Sequence, residues 1–269
     1  MGEPIRVLHI LQRMEAGGTQ ALLMNIYRKI DRTKVQFDFL VVYKEKQFYD
    51  DEIESMGGHV YKLSFREDLN LPKFQKDLKD FFKQHHEYQI VHCHAYTIGY
   101  FCLKAAKKAG IPVRIAHSHN NETVHDIKYL PKLFMQRLFT LNATDLFACS
   151  EEAGKYLFND KPFQVLKNAI DSQQFIANEN TRREVRQELG LENKFVVGHV
   201  GRLHPQKNHD FLIDVFAEIK KKKPDAELIL VGTGPLEEKV RKMLAIDNFL
   251  KGKGKDWFAM TFDNFKKST

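Results

Sequence analysis

The amino-acid sequence predicts an α/β fold of two Rossmann-like, doubly wound parallel-sheet domains, the second incomplete. Short apolar or β-branched runs alternate with longer segments of helical period, a pattern typical of parallel strands joined by crossover helices. A polar stretch at residues 171–181 separates two such blocks. The predicted organisation is an N-terminal domain over residues 1–168, a linker over 169–181, a partial C-terminal domain over 182–244 and a non-matching, poorly ordered tail over 245–269.

The first block is predicted to contain seven strands, with helices between most of them. Its clearest helix begins at Pro72, a residue suited to a first helical turn, and turns Phe74, Leu78 and Phe82 to one face. The predicted strands cover residues 7–11, 37–42, 60–63, 89–93, 112–116, 145–149 and 163–166, and the predicted helices cover 20–30, 49–56, 72–86, 98–108 and 133–141.

The second block repeats the alternation on a smaller scale. Its predicted elements are a helix over 182–189, a strand over 195–200, a helix over 209–222, a strand over 226–231 and a helix starting near Pro235. A sheet with only about two strands would keep an open edge. We therefore expect the second domain to be marginally stable.

Composition favours a packed protein with an anionic partner. The chain has 269 residues, 43% of them hydrophobic, and a formal net charge of +7. Cys93, Cys102 and Cys149 show neither paired nor metal-site spacing, so we interpret them as reduced core residues. No apolar run reaches the roughly 18 residues of a spanning helix, and the first residues lack a signal-peptide core. These features predict a cytoplasmic protein.

Two glycine-containing loops are candidate phosphate sites. Gly201 ends an apolar run and is followed by Arg202 and Lys207 just before a helix, where backbone N–H groups and cations could hold a diphosphate. Gly17 and Gly18 precede another helix, with Thr19 available as its N-cap. Each loop could instead be an ordinary turn with solvated side chains. Without a Gly-x-Gly-x-x-Gly motif, a nicotinamide dehydrogenase is not expected.

Two histidine pairs follow predicted strands. His92 and His94, and likewise His117 and His119, alternate along the chain, so each pair could point into one cleft. Neither pair has a third ligand at a recognisable spacing, and we therefore predict no metal site. His117 or His119 could touch a reacting sugar or could be structural.

Taken in order, several segments resemble one enzyme family. They are residues 5–10 (IRVLHI) with Gly17 and Gly18, 90–94 (IVHCH), 114–120 (RIAHSHN), 148–150 (ACS), 167–171 (KNAID), 200–208 and 231–236 (VGTGPL). Residues 5–243 thereby resemble the retaining glycosyltransferases of family 4, which have the two-domain GT-B fold and include many bacterial capsule and exopolysaccharide enzymes.

The resemblance implies roles for individual residues. His117, or otherwise His119, would contact the transferred sugar, while Arg202 and Lys207 would hold the donor diphosphate and stabilise its growing negative charge. The remaining donor-side positions would be Gly17, Gly18, Gly201, Gly232 and Gly234, and the acceptor-side positions Asn120, Ser150 and Asn168. No metal or other cofactor is expected, because the two cations and the helix end would replace a metal ion.

The implied partners are a nucleotide-sugar donor and a lipid-linked or polysaccharide acceptor. The basic charge also suits a peripheral contact with an anionic membrane at its cytoplasmic face. Nucleic-acid binding has only the charge in its favour, since no recognised module supports it. A nucleotide-sugar epimerase with the same two-domain fold remains an alternative.

The sequence departs from the family after residue 243. Members normally continue through a motif of two glutamates separated by seven residues, which handle donor hydroxyls. The pair at that spacing here, Glu184 and Glu192, precedes Gly201 and is discounted. We expect a truncated transferase. The alternative is a non-catalytic binding module that keeps only the acceptor-side domain.

Overall fold

The computed structural model describes residues 2–120, 129–250 and 257–260. The chain divides into two compact units, Met1–Ser172 and Gln173–Thr269. Within the described residues, no helix combines the length and apolar character needed to cross a bilayer.

The first unit contains a seven-stranded sheet, with every pairing parallel. Its strands are β1 (Ile5–Ile10), β2 (Val35–Val41), β3 (Val60–Lys62), β4 (Ile90–Cys93), β5 (Val113–Ser118), β6 (Asp145–Ala148) and β7 (Gln164–Val165). Its helices are α1 (Gly18–Lys29), α2 (Asp50–Ser55), α3 (Leu71–Gln84), α4 (Tyr96–Lys108), α5 (Tyr129–Phe139) and α6 (Glu151–Phe158). The predicted doubly wound architecture is confirmed.

The strand order, β3-β2-β1-β4-β5-β6-β7, reverses direction at β1. The chain first winds from β1 towards β3 and then returns to place β4 on the other side of β1. In open α/β sheets, such a reversal leaves a crevice outside the carboxyl ends of the two central strands. The loops after β1, β4 and β5 therefore meet at the edge where a ligand is expected.

Helices cover both faces of this sheet. On one face, α1 and α2 pack against β1 and β2, and Tyr27 and Phe39 are fully buried there. On the other face, α3, α4 and α6 pack over Leu8, and Phe74 and Cys102 are fully buried. Each large apolar side chain buried in this way stabilises the fold by roughly 1.5–3 kcal/mol. As predicted, Cys93 and Cys102 are buried free thiols, while Cys149 is half-buried.

Helix α6 was not predicted from the sequence. The hydroxyl of Ser150 accepts a hydrogen bond from the backbone N–H of Ala153 at 3.2 Å and caps the helix. A Cβ on Gly154 would stand only 2.2 Å from the ring of Phe163, so the glycine lets that ring pack against α6. Glycine lowers helix propensity, and here tertiary packing outweighs that preference.

The second unit contains a three-stranded parallel sheet in the order β10-β9-β8. Its elements are α7 (Glu179–Glu188), β8 (Phe195–Val200), α8 (His209–Lys222), β9 (Ala226–Val231), α9 (Glu237–Leu250) and β10 (Trp257–Met260). The bounds of β8, α8 and β9 agree with the prediction. Helix α7 begins before the predicted residue 182 because the side chain of Asn178 accepts hydrogen bonds from the N–H groups of Asn180 and Thr181.

Within the predicted tail at 245–269, the described residues contain regular secondary structure. Helix α9 extends to Leu250, and β10 pairs with residues 228–231 of β9. The sheet therefore has three strands where about two were expected. The apolar, aromatic run at 257–260 has strand character that the prediction overlooked, and it pairs the open edge of β9. Residues 251–256 and 261–269 lie outside the described part of the chain.

Candidate functional site

Five histidines lie together at the carboxyl edge of the first sheet. His9 belongs to β1, and it is paired in register with His92 of β4. His94 follows two residues later, and its N–H donates to the Ile10 carbonyl oxygen at 2.8 Å. His117 and His119 stand at the end of β5. We call these five residues the histidine cluster.

Ring nitrogens connect the cluster directly. Nδ1 of His9 lies 3.2 Å from Nε2 of His94, and Nδ1 of His94 lies 2.7 Å from Nε2 of His119. Nε2 of His92 lies 3.0 Å from Nδ1 of His117. These contacts form two sets, His9–His94–His119 and His92–His117, whose rings stack on each other. The structure thus brings both predicted pairs together, and it adds His9 to them.

Exposure distinguishes the two candidates for contact with a sugar. His117 has no accessible surface, whereas His119 is half-buried. A side chain with no accessible surface cannot touch a substrate in this conformation. His119 is therefore the member of this pair that the structure leaves reachable.

Burial keeps the cluster uncharged. Loss of hydration lowers the pKa of His9 to about 3 and that of His117 to about 2, and neighbouring histidines add to both shifts. Burial lowers the pKa of His119 to about 4. The pKa values of His92 and His94 also lie well below the ordinary value, from burial first and then from neighbouring histidines. Each ring then offers one N–H and one lone pair at neutral pH.

Sequence reasoning missed His9. The sequence feature that could have identified His9 is a polar residue inside an otherwise apolar strand. However, the pairing of His9 with His92 appears only when β1 and β4 are aligned. Nε2 of His9 and Nε2 of His117 are buried without a hydrogen-bond partner among the described residues. Such atoms cost free energy unless a ligand, ion or water satisfies them.

The loop at Gly17 and Gly18 leads directly into α1. Gly17, not the predicted Thr19, is the N-cap residue, and no described side chain caps the first turn. Gln20 folds back and donates to the Arg13 carbonyl oxygen at 2.7 Å. The first N–H groups of α1 are thus left for solvent or an anion. Thr19 cannot cap this helix because it lies within the first turn.

The predicted acceptor-side residues have different surroundings. The side chain of Ser150 caps α6, and the backbone N–H of Asn120 donates to the hydroxyl of Tyr96 at 2.9 Å. Asn120 and Asn168 are exposed. The histidine cluster lies on β1, β4 and β5, whereas Ser150 follows β6 and Asn168 follows β7.

In the second unit, the loop after β8 is held against the loop after β9. The N–H of Gly201 donates to the Val231 carbonyl oxygen, and the N–H of Leu203 donates to the Thr233 carbonyl oxygen, each at 2.9 Å. A short 3-10 turn, Pro205–Lys207, follows. Asn208 then adopts left-handed backbone angles, with φ 47° and ψ 54°, and starts α8.

Gly232 and Gly234 allow these two loops to touch. A Cβ on Gly232 would stand 2.0 Å from the Gly201 carbonyl oxygen, and one on Gly234 would stand 2.4 Å from the Leu203 carbonyl oxygen. Both glycines also have positive φ angles, 153° and 156°. The structure therefore brings Gly201, Gly232 and Gly234 together.

Arg202 and Lys207 stand on the exposed side of this loop pair. Neither side chain makes a hydrogen bond or an ion pair within the described ranges. Two unpaired cations next to the start of a helix form a favourable place for a phosphate group.

Comparison with known proteins gives two family matches. Residues 16–174, more than half of the chain, match the model described as Glycosyltransferase Family 4. Residues 181–249 match the model described as Glycosyl transferases group 1. The first match ends and the second begins within the predicted linker, at residues 174 and 181.

Two relatives align along most of the chain. It is 36% identical over 259 residues to the putative glycosyltransferase EpsF of Bacillus subtilis (strain 168), covering 91% of this chain and 67% of that protein. It is 26% identical over 262 residues to the UDP-Gal:alpha-D-GlcNAc-diphosphoundecaprenol alpha-1,3-galactosyltransferase of Escherichia coli, covering 92% and 67% respectively. The chain thus spans about two thirds of the length of these relatives.

The fold is also similar to that of a solved structure. Anabaena Alr3699/HepE in complex with UDP and glucose matches with a TM-score of 0.76 at 20% identity, covering 96% of this chain and 69% of that one. This likeness confirms the predicted GT-B-like fold class.

Proposed function

The chain belongs to glycosyltransferase family 4, and on this premise we propose that it transfers a sugar from a nucleotide-diphosphate donor to a lipid-linked or polysaccharide acceptor, with retention of configuration. Retention is carried over from the family resemblance. The observation that carries the proposal is the exposed, unpaired pair of cations, Arg202 and Lys207, beside the start of α8.

The donor diphosphate would bind at the loop after β8. Cleavage of the sugar–phosphate bond leaves growing negative charge on the departing nucleotide. Fixed cations and helix N–H groups interact more strongly as that charge develops, so they stabilise the transition state more than the ground state. In this proposal the transfer needs no metal ion, because Arg202, Lys207 and the α8 terminus supply the positive charge.

His119 is the histidine that we propose touches the transferred sugar. It is half-buried at the end of β5, and its Nε2 atom is fixed by Nδ1 of His94 at 2.7 Å. A neutral, oriented imidazole can donate to or accept from a sugar hydroxyl. His117, with no accessible surface, would act through the packing of the cluster.

A lipid-linked acceptor would bring the protein to a membrane. The E. coli relative is named for a diphosphoundecaprenol substrate. A groove of about 680 Å³ between α3 and α4 supports a membrane contact, because Lys76, Lys79, Lys83, Lys104 and Lys108 line it beside Phe82 and Phe101. Cations around an apolar floor suit anionic lipid headgroups, at about 1 kcal/mol for each lysine near the surface. We propose this groove as the contact with the inner face of the cell membrane.

The alternative is a binding module without transfer activity, and a transfer assay separates the two. The full chain is incubated with radiolabelled UDP-sugars and an undecaprenyl-diphosphate sugar acceptor, and the lipid product is extracted. A labelled lipid product supports the proposed transferase, whereas an epimerised free donor would identify an epimerase. If no donor is converted, the result favours a binding module without transfer activity.

A matched pair of variants tests the role of His119 in the same assay. His119→Ala is expected to lower the transfer rate, while His59→Ala, at an exposed histidine between α2 and β3, leaves it unchanged. Equal rates for the two variants would remove His119 from the proposed site.

A further inference from the structure

We infer that His9, His92 and His94 bind a divalent transition-metal ion, with zinc the ion that fits their donor atoms best. The three residues of this site all belong to the first unit. The inference does not rest on the proposed transfer activity.

The three rings lie close to the spacing that a metal ion needs. One ring nitrogen from each histidine lies within 4.8 Å of those from the other two. Nδ1 of His9 and Nε2 of His94 are 3.2 Å apart. Zinc bound to imidazole nitrogens at about 2.0–2.1 Å in a tetrahedral site spaces those nitrogens by about 3.3 Å. A small closing movement of the third ring completes the set.

The backbone holds these rings in place. His9 and His92 are direct partners in the β1–β4 register, so their side chains leave the same face of the sheet. His94 lies two residues beyond His92, and alternate positions along an extended chain share a face. All three are buried, with exposures of 2%, 7% and 7%. A ligand set carried on two paired strands needs little ordering when the ion binds.

The other two histidines fit the role of an outer shell. Metal-bound imidazoles commonly donate their second N–H to a neighbouring acceptor, which fixes the ring and its tautomer. His92 has His117 at 3.0 Å from its Nε2, and His94 has His119 at 2.7 Å from its Nδ1. These contacts leave Nδ1 of His92 and Nε2 of His94 available for an ion.

The chemistry of the cluster selects the class of ion. Both groups of described side chains close enough to share a metal consist of histidines alone. Imidazole nitrogens suit zinc and similar transition metals, whereas magnesium and calcium require oxygen ligands.

A second triad, His94, His117 and His119, shares His94 with the first and competes with it. The first is favoured because all three of its members are buried, whereas His119 is half-buried.

The test is a titration of the full chain, freed of metal by a chelator, with zinc chloride and separately with cobalt chloride. One equivalent of either ion is expected to bind. His9→Gln and His92→Gln are expected to weaken zinc binding by more than about 100-fold, and His119→Gln by about 10- to 100-fold, the usual cost of losing an outer-shell partner. His86→Gln, outside the cluster, should bind as the wild type does.

Three results would overturn the inference. They are absence of zinc binding to the wild type, undiminished binding by His9→Gln, or a larger loss in His119→Gln than in His9→Gln, which would move the ion to the second triad. If the ligand variants do not fold, X-ray absorption of the wild-type zinc complex decides. Imidazole nitrogens at about 2.0 Å support the site, and sulfur or oxygen ligands alone contradict it.

Discussion

The carbonyl oxygen of Gly201 lies where a side chain on Gly232 would have to begin, 2.0 Å from the position of its Cβ atom. The loop that carries the two proposed phosphate-binding cations therefore keeps its shape only while residue 232 is glycine. This contact joins the carboxyl ends of β8 and β9 and makes the donor loop part of the sheet edge.

Gly232→Ala is expected to disrupt this loop. The added methyl group would overlap the Gly201 carbonyl, and the positive φ of 153° adds strain of about 1–3 kcal/mol. Chemical denaturation should show the loss of stability, and UDP binding should weaken. Gly198→Ala on β8 is the matched control, because nothing lies within 4 Å of its Cβ position. Equal behaviour of the two variants would contradict this packing of the two loops.

The lysines of the α3–α4 groove are expected to drive binding to anionic vesicles. Replacing Lys79, Lys83 and Lys104 with glutamine removes about 1 kcal/mol each, so the partition onto phosphatidylglycerol vesicles should fall by about 100-fold in sedimentation assays. Phosphatidylcholine vesicles should bind neither protein. Glutamine at residues 221–223 of the second unit removes the same charge and should have little effect. A similar loss in both triple variants would mean that net charge alone governs binding.

Asp38 is expected to contribute stability that disappears in acid. Burial alone would raise its pKa, but hydrogen bonds from Arg6, Tyr88 and the His59 N–H outweigh burial and lower the pKa below its ordinary value of 3.8. The unfolded chain then binds this proton first as the pH falls. The contribution is present above pH 3.8 and is lost below it, at up to about 1.4 kcal/mol per pH unit.

Chemical denaturation of Asp38→Asn between about pH 3 and about pH 6 checks this pH dependence. The variant should be less stable at about pH 6 by about 3–5 kcal/mol, because it leaves Arg6 without its carboxylate, and it should show a flatter acid slope than the wild type. Asp77→Asn on α3 serves as the control. An unchanged acid slope in Asp38→Asn would show that the carboxyl group of Asp38 does not stabilise the fold in this way.

Variants of Ser150 test whether its side chain caps helix α6 or contacts the acceptor substrate. Ser150→Ala removes the hydroxyl that caps α6 and should lower the free energy of unfolding by about 1 kcal/mol, while Ser150→Asn, which can also cap, should restore it. Thermal unfolding measures the difference. If transfer activity falls equally in both variants with no change in stability, the side chain serves the acceptor instead.

Much of the fold could be predicted from the sequence because the spacing of apolar residues indicates which face of a helix or strand is buried. The bounds of β8, α8 and β9 agree with prediction, since each is a clean apolar or amphipathic run. Helix α6 was missed because its stability comes from the cap at Ser150 and from Phe163 packing on Gly154, neither of which local propensity contains.

The candidate site could be predicted only in part from the sequence. The paired spacing of His92 with His94, and of His117 with His119, identified four members of the cluster. His9 became visible only through the strand register that aligns it with His92. Which histidine is reachable depends on packing, and sequence spacing could not separate the buried His117 from the half-buried His119.

Calorimetric titration of the full chain with UDP tests the proposed donor site most directly. We predict that the wild type binds UDP and that Arg202→Ala and Lys207→Ala each weaken binding by about 10- to 100-fold, the value of a charge-assisted hydrogen bond of about 1.5–3 kcal/mol. Arg183→Ala and Lys222→Ala, exposed cations outside the loop, should bind as the wild type does. No UDP binding by the wild type, or equal affinity in all four variants, would contradict the proposed donor site.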